Sequence, residues 1–581
     1  MGIFNHSNFN KDDIDDLMAL TTFNWESYSS AIWEKSFQEY SGELGWKVIT
    51  AEDINYSGKT GGYNQFYGEN LLLATSEVSV LGKYDNDGKL TSIGLSYWGT
   101  GTAHDAEDWT SNFLMDMLTN VGVALSYQGS ADGYIFAAFN DLLTKVSEFA
   151  QANGLSGKDI IVTGLSMGGM SVNSMASASS MGHWKGFYED SVYVSLSSPT
   201  QNRLDDKVLN IGLENDPIFR VLDGDSISPD SFNVHDKPQE SCTNNIVAFN
   251  DHYIKNDILS LLNLVAWQGG HNPKWYMNAI NAISKSIYYD ITDKNSTVIT
   301  AQLSDKLRET TWVEDLNYKA LPHEGPTFIL GSDKADLIAG GKGMDYLEGF
   351  AGDDVFRDAG GFNVIDGGAG YDLFDLQGEI SKTSIAKISN GILAIKGADG
   401  GITLLHDVEA IKETYWFLWD NYLTYEVTNE GLTLDGKLSL TYANSVHAST
   451  EQSGEIFAPE NGGFYVDQTS WLVGSAQDTV MHGSRSSDVF VCQSGDDVIY
   501  TNGGDDTILL TGNDIGNKTV YGFGQDDKLA FMANTQTTAN GSYLDYLSEC
   551  ENGVQFTCDA GSITLVGVTL DQLHESQFVL A

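Results

Sequence analysis

The apolar positions in the first half of the chain alternate between the period of a helix and short uninterrupted runs. Residues 135–153 carry apolar side chains at 135, 139, 142, 146 and 149, which predicts an amphipathic helix, and Gly154 is positioned to end it. Residues 159–163 then form a short apolar run typical of a buried strand, and the residues after Gly164 return to a helical composition. Strand, glycine turn and helix in this order indicate an α/β fold.

A different pattern begins after Phe328. From Gly331 the chain divides into five consecutive nonapeptides, GSDKADLIA, GGKGMDYLE, GFAGDDVFR, DAGGFNVID and GGAGYDLFD. Asp or Asn occupies the sixth position of every unit, and a large apolar residue occupies the eighth. Five such matches in register arise by accident with a probability of about 10⁻⁷ per reading frame, so the repeat is a structural signal rather than a surface loop rich in Gly and Asp.

The repeat has a physical interpretation. The glycine-rich half of each unit forms a tight turn whose carbonyls point inward beside the Asp carboxylate, and the apolar eighth residue lies on a short strand that stacks on the next turn. Oxygen ligands of this kind select a hard cation of the size of calcium, so we expect a calcium-bound parallel β-roll. The expected calcium ligands are Asp333, Asp336, Gly340, Lys342, Asp345, Gly349, Ala351, Asp354, Asn363, Gly367, Ala369 and Asp372.

A weaker second block follows a non-repetitive stretch of the chain. Asp488, Asp497 and Asp506 are spaced by nine residues, as are the apolar positions 490, 499 and 508. Only parts of the glycine pattern remain, so some of these turns are expected to lack metal. We predict an α/β hydrolase-like catalytic domain over residues 1–325, followed by an all-β parallel β-roll domain over residues 326–581.

Composition narrows the functional classes. The 581 residues contain 80 Asp and Glu but only 31 Lys and Arg, a net charge of −49, which argues against binding to nucleic acid and favours a cationic partner. With 41% hydrophobic residues the chain is too apolar to be a disordered acidic tail. No apolar run of about 18 residues predicts a membrane-spanning helix, and residues 1–13 lack the apolar stretch expected of a cleaved signal peptide.

The candidate nucleophile is Ser166, in Gly164-Leu-Ser-Met-Gly168. This G-x-S-x-G string is weak alone, because composition predicts about 0.5 occurrences in a chain of this length. However, it follows a predicted strand and opens a predicted helix, the context in which a strained turn presents a serine hydroxyl beside the first amides of a helix.

A serine nucleophile needs a base and an acid, expected downstream in the order Asp then His. Asp216 follows the predicted strand 208–212 and precedes Pro217, although it could also be a turn residue. His235, His252 and His271 all lie downstream. His252 could be the base or a packing histidine, and spacing alone slightly favours His271.

These residues carry a resemblance that runs over most of the chain. The sequence resembles the bacterial family I.3 lipases, the repeats-in-toxin (RTX) lipases exported by type I secretion. The resemblance implies the catalytic triad Ser166, Asp216 and His271, a structural role for His252, and an oxyanion hole formed by the amides of Met167 and Thr100. The matching segments are Met1-Gly-Ile-Phe4, Val80-Leu-Gly-Lys-Tyr-Asp85, Ala131-Asp-Gly-Tyr134, Gly154-Leu-Ser-Gly157, Asn244-Asn-Ile-Val247, Phe249-Asn-Asp-His-Tyr253, Thr311-Trp-Val-Glu-Asp-Leu-Asn317 and Gly325-Pro-Thr-Phe328.

Some positions depart from the family pattern. Leu165 and Met167 replace the usual His and Leu of the elbow, and the segment before Gly45 is shorter than in relatives. Residues 109–126 carry an apolar stripe that fits either a lid or an ordinary core-facing helix. The lid calcium of relatives would fall on Asp108 and Asn112, and the missing charge at Asn112 argues against it.

The C-terminal residues resemble the export signals of the same family, in Gly561-Ser-Ile-Thr-Leu-Val-Gly567 and Glu575-Ser-Gln-Phe-Val-Leu-Ala581. The resemblance implies a secreted, extracellular, monomeric and calcium-dependent lipase or carboxylesterase that uses the type I exporter and acts at a lipid–water interface. Two alternatives remain open. One is a phospholipase A1 with the same triad, and the other is a non-enzymatic calcium-binding RTX adhesin.

Overall fold

The structure is a computed structural model in which two compact units, Met1–Ser304 and Asp305–Ala581, can be distinguished. The division lies before the boundary predicted after residue 325. Within the second unit, Val313 forms a parallel bridge with Ile338 of the repeat region, which accounts for the earlier division. The structure describes residues 2–25, 36–69, 76–99, 134–199, 207–219, 242–253, 269–316, 327–387, 392–397, 400–417, 419–442, 445–447, 471–511, 514–532, 546–558 and 560–579.

The first unit combines helices with a large sheet. Its helices are α1 (Ile14–Trp25), α2 (Phe37–Leu44), α3 (Tyr134–Ala152), α4 (Met167–Ser180) and α5 (Pro273–Lys285). Its strands are β1 (Trp46–Val48), β2 (Phe66–Tyr67), β3 (Glu77–Tyr84), β4 (Leu90–Tyr97), β5 (Ile160–Leu165), β6 (Val192–Leu196), β7 (Leu209–Leu213), β8 (Cys242–Asn250) and β9 (Thr297–Gln302).

The strands of this unit follow the order β1-β3-β4-β5-β6-β7-β8-β9, with β2 paired to β3. The pairs from β4 to β9 are parallel, and the pairs β1–β3 and β3–β4 are antiparallel. Every residue of β5 and of β7 is buried, as expected for parallel strands covered on both faces. The carboxyl ends of parallel strands share one edge of a sheet, and this edge carries the residues discussed below.

The helix predicted over residues 135–153 is confirmed as α3. On its apolar face, Ile135, Leu142 and Val146 are fully buried in the main core of the unit, and Phe149 packs against this core half-buried. Gly154 has φ 79°, a left-handed conformation that favours glycine and ends the helix. Phe139 has φ −139°, so the helix is kinked there, which the spacing alone did not predict.

Among its described residues, the second unit contains one α-helix, α6 (Asp305–Arg308), and strands that form two rolls. The first roll comprises β10 (Thr327–Ser332), β11 (Leu337–Ala339), β12 (Met344–Phe350), β13 (Val355–Arg357), β14 (Phe362–Asp366), β15 (Leu373–Asp375), β16 (Ser384–Lys387), β17 (Leu393–Lys396), β18 (Ile402–His406), β19 (Ala410–Phe417), β20 (Trp419–Val427), β21 (Gly431–Leu434) and β22 (Lys437–Thr441). The second roll comprises β23 (Ser445–His447), β24 (Trp471–Val473), β25 (Val480–His482), β26 (Val489–Cys492), β27 (Val498–Tyr500), β28 (Thr507–Thr511), β29 (Gly516–Tyr521), β30 (Lys528–Met532), β31 (Leu547–Cys550), β32 (Gly553–Cys558), β33 (Gly561–Val566) and β34 (Phe578–Val579).

The predicted stacking of the repeats is confirmed in the first roll. The eighth-position residues Ile338, Phe356 and Phe374 are parallel partners in one sheet, and Leu347 pairs with Ile365 in the other. Each is at most 1% exposed. Consecutive nonapeptides therefore lie on opposite sheets, and each complete turn contains two repeats.

The weaker block forms the second roll in the same way. Phe490 pairs with Ile508 in one sheet, and Ile499 pairs with Val520 in the other. The inward side chains of both sheets form a single apolar core. The predicted fold class, an α/β hydrolase-like unit followed by an all-β unit of parallel rolls, is confirmed.

Antiparallel strands complete both rolls. In the first roll, β16 and β17 extend the sheet that ends at β18, and β20, β21 and β22 extend the sheet from β19. In the second roll, β31 and β32 extend the sheet from β33. No helix among the described residues combines the length and the apolar character needed to cross a membrane.

Candidate active site

Ser166 lies at the turn between β5 and α4. Its backbone has φ 63° and ψ −121°, a positive φ that residues other than glycine rarely adopt. Its amide donates a 2.9 Å hydrogen bond to the carbonyl of Leu196, at the end of β6. The Ser166 hydroxyl does not cap α4, although Ser166 is the N-cap residue, so the strained turn leaves Oγ for another partner.

The two glycines of the motif allow this close approach. A Cβ atom at Gly164 would lie 2.6 Å from the backbone of Gly168. A Cβ atom at Gly168 would lie 2.4 Å from the carbonyl oxygen of Tyr97, at the end of β4. Both distances are shorter than any ordinary contact, so the G-x-S-x-G spacing is what lets α4 start against β4 and β5.

Ser166, His271 and Asp216 form a continuous chain of hydrogen bonds. His271 Nε2 lies 3.0 Å from Ser166 Oγ, and His271 Nδ1 lies 3.1 Å from each carboxylate oxygen of Asp216. Ser166 is 5% exposed and Asp216 is 2% exposed. This geometry lets an imidazole remove the proton of a serine while a carboxylate fixes its tautomer.

The local sequence explains how His271 reaches this position. It directly precedes the N-cap of α5, Asn272, whose side chain accepts a hydrogen bond from the amide of Lys274. A Cβ atom at Gly270 would lie 2.1 Å from the carbonyl oxygen of Asn215. Glycine at this position therefore lets the His271 loop pack directly on the residues around Asp216.

The carboxylate of Asp216 has three further hydrogen-bond donors. Oδ2 accepts from the hydroxyl of Tyr276 at 2.6 Å and from the hydroxyl of Ser197, and Oδ1 accepts from the amide of Ile218 at 2.8 Å. Ser197 Oγ also lies 2.9 Å from His271 Nδ1. The carboxylate is therefore held by partners from three separate segments of the chain.

Ser197 and Tyr276 did not emerge from the sequence. Ser197 directly follows the buried strand β6 and has φ 52°, so its position at the carboxyl end of a strand was the available signal. Tyr276 lies on α5, and its hydroxyl also accepts a 3.1 Å hydrogen bond from the amide of Leu213. Nothing in the sequence distinguished Tyr276 from the other buried tyrosines.

The electrostatics favour a charged Asp216. Burial raises its pKa, but the charge and hydrogen bond of His271, together with the hydroxyls of Ser197 and Tyr276, outweigh burial and leave the pKa below its ordinary value. Burial also raises the pKa of Tyr276 well above its ordinary value, and the carboxylate of Asp216 raises it further. Tyr276 therefore stays protonated and donates a hydrogen bond to the carboxylate.

The structure describes only some of the other predicted site residues. Met167 is the first residue of α4, and its amide is among those that a helix leaves without an internal partner. Thr100, Asp108, Asn112 and the lid candidate over residues 109–126 lie outside the described residues, as does His235. His252 is half-buried, and its amide donates to Asn250 Oδ1 at 3.0 Å.

The second unit presents a separate group of buried carboxylates. In the first roll, the amide of Asp336 donates to Asp354 Oδ1 at 2.6 Å, and the amide of Asp354 donates to Asp372 Oδ1 at 2.9 Å. Successive turns thus form a ladder of aspartates. In the described part of the chain, Oδ2 of Asp354 and of Asp372 is buried and has no hydrogen-bond partner.

Unpartnered, buried carboxylate oxygens are suited to a cation. Burial raises the pKa of Asp354 to about 8 and that of Asp372 to about 6, and neighbouring carboxylates add to both shifts. Burial likewise raises the pKa of Asp345, which stands opposite Asn363 in the other sheet, to about 6. The donor set of the first roll therefore fits calcium, which prefers anionic and carbonyl oxygens.

Asp336, at the start of the ladder in the first roll, differs from the other aspartates in the partners of its carboxylate. Its carboxylate accepts hydrogen bonds from the guanidinium of Arg308 and, at 2.9 Å, from the hydroxyl of Ser332. Among the remaining predicted ligands, Asp333 and Lys342 are exposed. The roles of all these residues as calcium ligands stay predictions.

Comparisons with known proteins extend this picture. Two curated proteins of Pseudomonas fluorescens, both named lipase, are 46% identical over 304 residues and 42% identical over 293 residues. The alignments cover 52% and 49% of this chain and 63% of each relative, so the chain spans less than two thirds of their length. A scan against models of protein families finds no match.

The solved structure of the extracellular lipase LipA from Serratia marcescens is similar along the whole chain. The two share 35% sequence identity with a TM-score of 0.79, and the match covers 100% of both chains. The similarity in sequence and in fold therefore extends over both units. The chain therefore belongs to the family I.3 lipases.

Proposed function

We propose that this chain is a serine carboxylic-ester hydrolase that acts as a triacylglycerol lipase or carboxylesterase. The observation that carries the proposal is the hydrogen-bond chain from Asp216 through His271 to Ser166, built on a strained turn at the carboxyl end of β5. The relatives from Pseudomonas and Serratia that are named lipases support the same assignment.

The first half of the reaction forms an acyl-enzyme. His271 Nε2 takes the proton of Ser166 Oγ as that oxygen attacks the ester carbonyl, and the Met167 amide would stabilise the resulting oxyanion. The charged carboxylate of Asp216 stabilises the protonated imidazole. Collapse of the tetrahedral intermediate breaks the ester C–O bond, and His271 gives its proton to the departing alcohol.

The second half reverses these roles with water. His271 removes a proton from a water molecule that attacks the acyl carbon, and a second tetrahedral intermediate forms. Its collapse returns the proton from His271 to Ser166 Oγ and releases the fatty acid. The amide of Thr100 is expected to be the second oxyanion donor.

The rolls of the second unit are proposed to bind several calcium ions. Asp354, Asp372 and Asp345 would hold them together with the turn carbonyls, and the buried Oδ2 atoms of Asp354 and Asp372 support this role. When bound, calcium supplies positive charge that balances buried carboxylates. In this proposal the metal stabilises the fold and takes no part in ester hydrolysis.

The proposed setting is extracellular, with a lipid surface as the substrate phase and a type I exporter as the partner in secretion. Support comes from the Serratia relative, which is described as an extracellular lipase. The C-terminal segment that resembles an export signal adds to this support. The chain is proposed to act as a monomer.

The decisive test compares the wild-type chain with Ser166→Ala. We expect hydrolysis of p-nitrophenyl esters and emulsified triolein to fall by at least about a thousandfold, because the nucleophile is lost. Ser180→Ala is the matched control, since Ser180 lies exposed at the far end of α4. Unchanged hydrolysis by Ser166→Ala would contradict the proposal and favour a non-enzymatic calcium-binding adhesin.

The substrate class is tested by rates on triolein emulsions and on phosphatidylcholine vesicles. A triacylglycerol lipase should hydrolyse triolein faster than the vesicles. Hydrolysis of phosphatidylcholine without hydrolysis of triolein would assign the same triad to a phospholipase A1.

A further inference from the structure

The second roll also stacks aspartates of successive turns, since the amide of Asp488 donates to Asp506 Oδ1 at 2.7 Å, and it contains a buried lysine among them. The side chains of Lys518 and Asp497 are both 0% exposed, and Lys518 Nζ lies 2.6 Å from Asp497 Oδ2. Lys518 Nζ also donates to the carbonyl oxygens of Gln493 and Gly495, each at 2.7 Å. The ammonium group therefore donates two hydrogen bonds to turn carbonyls and forms an ion pair with one carboxylate.

This lysine occupies a ladder position that holds an aspartate in the facing sheet. The strand register places Lys518 opposite Asp497 in one sheet and Asp527 opposite Asp506 in the other. The neighbouring register pairs are Val498 with Thr519 and Thr507 with Lys528. Both turns have the same length, since Asp506 and Asp527 are 21 residues apart and 518 − 497 is also 21. The two positions can therefore be compared directly.

The turn from Asp506 to Asp527 and the turn from Asp497 to Lys518 differ in the partners of their carboxylates. The amide of Asp506 donates to Asp527 Oδ1 at 2.9 Å, while Asp506 Oδ2 is buried without a hydrogen-bond partner in the described part of the chain. Asp497 Oδ1 accepts from the amide of Thr479 at 3.0 Å, and its Oδ2 faces the ammonium of Lys518. Neither Oδ2 atom has a hydrogen-bond partner among the described residues, but that of Asp497 forms an ion pair with the ammonium of Lys518.

Charge balance separates the turns in the same way. The two buried carboxylates Asp506 and Asp527 would be balanced by one divalent ion, and the ammonium of Lys396 offsets part of the charge at Asp506. One carboxylate, Asp497, is balanced by the single charge of Lys518. Because an uncompensated buried charge is strongly unfavourable, the turn of Asp506 and Asp527 calls for an external cation, whereas the turn of Asp497 and Lys518 carries its own. A calcium ion in the turn of Asp497 and Lys518 would have to displace the ammonium from the same oxygens.

We infer that Lys518 is a covalently tethered substitute for a calcium ion, so that this turn of the second roll folds without metal and binds none. The inference rests on the proposed calcium binding by the rolls. The first roll offers a parallel, since the buried guanidinium of Arg308 pairs with Asp336, the first aspartate of that ladder. Both rolls thus place a side-chain cation against a ladder carboxylate.

The sharpest test restores the aspartate ladder with Lys518→Asp. We expect this variant to bind one more calcium ion per chain than the wild type, measured by atomic emission after equilibrium dialysis. Its thermal midpoint should fall by roughly 10 °C in EGTA and recover in calcium. Lys437→Asp is the matched control, because it makes the same charge change at an exposed position of β22. An unchanged calcium count, or a Lys518→Asp chain that fails to fold in calcium, would overturn the inference.

Lys518→Met provides a second measurement. It keeps the length of the side chain but leaves one buried carboxylate without a cation, so its thermal midpoint should fall by a similar amount in calcium and in EGTA. A midpoint equal to that of the wild type in EGTA would also overturn the inference. A wild-type chain that binds no calcium would instead contradict the proposed role of the rolls, so the two proposals fail on different measurements.

Discussion

At the residue scale, the Asp216 carboxylate is held more firmly than a minimal triad requires. The hydroxyls of Ser197 and Tyr276 and the amide of Ile218 all donate to it, in addition to His271. These donors stabilise the charged carboxylate and fix its orientation. Ser197 reaches both Asp216 and His271, which makes it the best candidate for a positioning residue.

Replacing Ser197 tests this role. Ser197→Ala and Ser197→Gly both remove the hydroxyl, and the glycine variant also relieves the positive φ. We expect kcat to fall about tenfold in both variants with KM unchanged, because a buried hydrogen bond to a charged group is lost near the reacting atoms. The measurement is steady-state hydrolysis of a soluble p-nitrophenyl ester.

The control for this experiment is Ser198→Ala. Ser198 is equally buried beside Ser197, but its hydroxyl contacts Asn173 at 3.4 Å. Its kcat should stay close to that of the wild type. A Ser197→Gly enzyme with full kcat would show that the hydroxyl does not position the triad.

Part of the candidate site could be predicted from the sequence. Ser166 and Asp216 follow buried apolar runs, and strand ends at one edge of a sheet bring such residues together. His271 was favoured over His252 mainly by resemblance, because loop spacing does not determine where a loop folds back. Ser197 was missed because its contacts depend on the pairing of β6 with β7, which local composition does not encode.

At the element scale, local periodicity predicted the repeated strands of the rolls but not the antiparallel strands that follow no repeat. The nonapeptide period predicted both stacks of the first roll, because each turn pairs only with its neighbours. The antiparallel strands β16, β17 and β20 to β22 lie in the stretch that showed no repeat. Their pairing depends on contacts that vary from strand to strand, so no fixed period marks them.

The start of α4 provides a test at this scale. Gly168→Ala should lower the thermal midpoint and reduce esterase activity, because its Cβ would lie 2.4 Å from the carbonyl oxygen of Tyr97 and would push α4 away from β4. Overpacking of this kind costs about 1–3 kcal/mol. The measurements are the thermal midpoint and the rate of p-nitrophenyl ester hydrolysis.

Gly42→Ala is the matched control for the change at Gly168. Gly42 is exposed within α2, and an added Cβ there would have no atom within 4 Å. This substitution should stabilise the protein by up to about 1 kcal/mol, because alanine favours a helix over glycine. Equal midpoints for Gly168→Ala and the wild type would mean that α4 tolerates the displacement and that the glycine is not required.

At the scale of the whole molecule, the net charge of −49 has a structural cost in the second unit. Asp345, Asp354, Asp372 and Asp506 are carboxylates enclosed in the rolls, and burial raises the pKa of each. Without a cation, these groups keep their protons to a higher pH than ordinary aspartates do. The rolls are therefore predicted to depend on whichever cation is available, calcium or protons.

This dependence predicts an unusual response to pH in the calcium-free chain. The pKa values of the buried carboxylates are raised from 3.8 to about 8 at Asp354 and Asp506, and to about 6 at Asp345 and Asp372. Their contribution to stability is therefore complete below pH 3.8 and is lost as pH rises through about 6 to 8. Calcium-free protein should unfold at lower urea concentration, and expand in solution scattering, when the pH is raised from about 5.5 to about 8.5.

Saturating calcium provides the control, because metal-bound carboxylates are neutralised without taking up protons. With calcium, the urea midpoint should therefore change little over the same pH range. The two curves should converge toward low pH, where protons replace the metal, and separate most at high pH. A calcium-free urea midpoint that rises with pH would contradict this account, since it would mean that the buried carboxylates are stabilised as anions by the chain itself. Such a result would extend to the whole ladder the arrangement seen at Asp497, where Lys518 supplies the balancing charge.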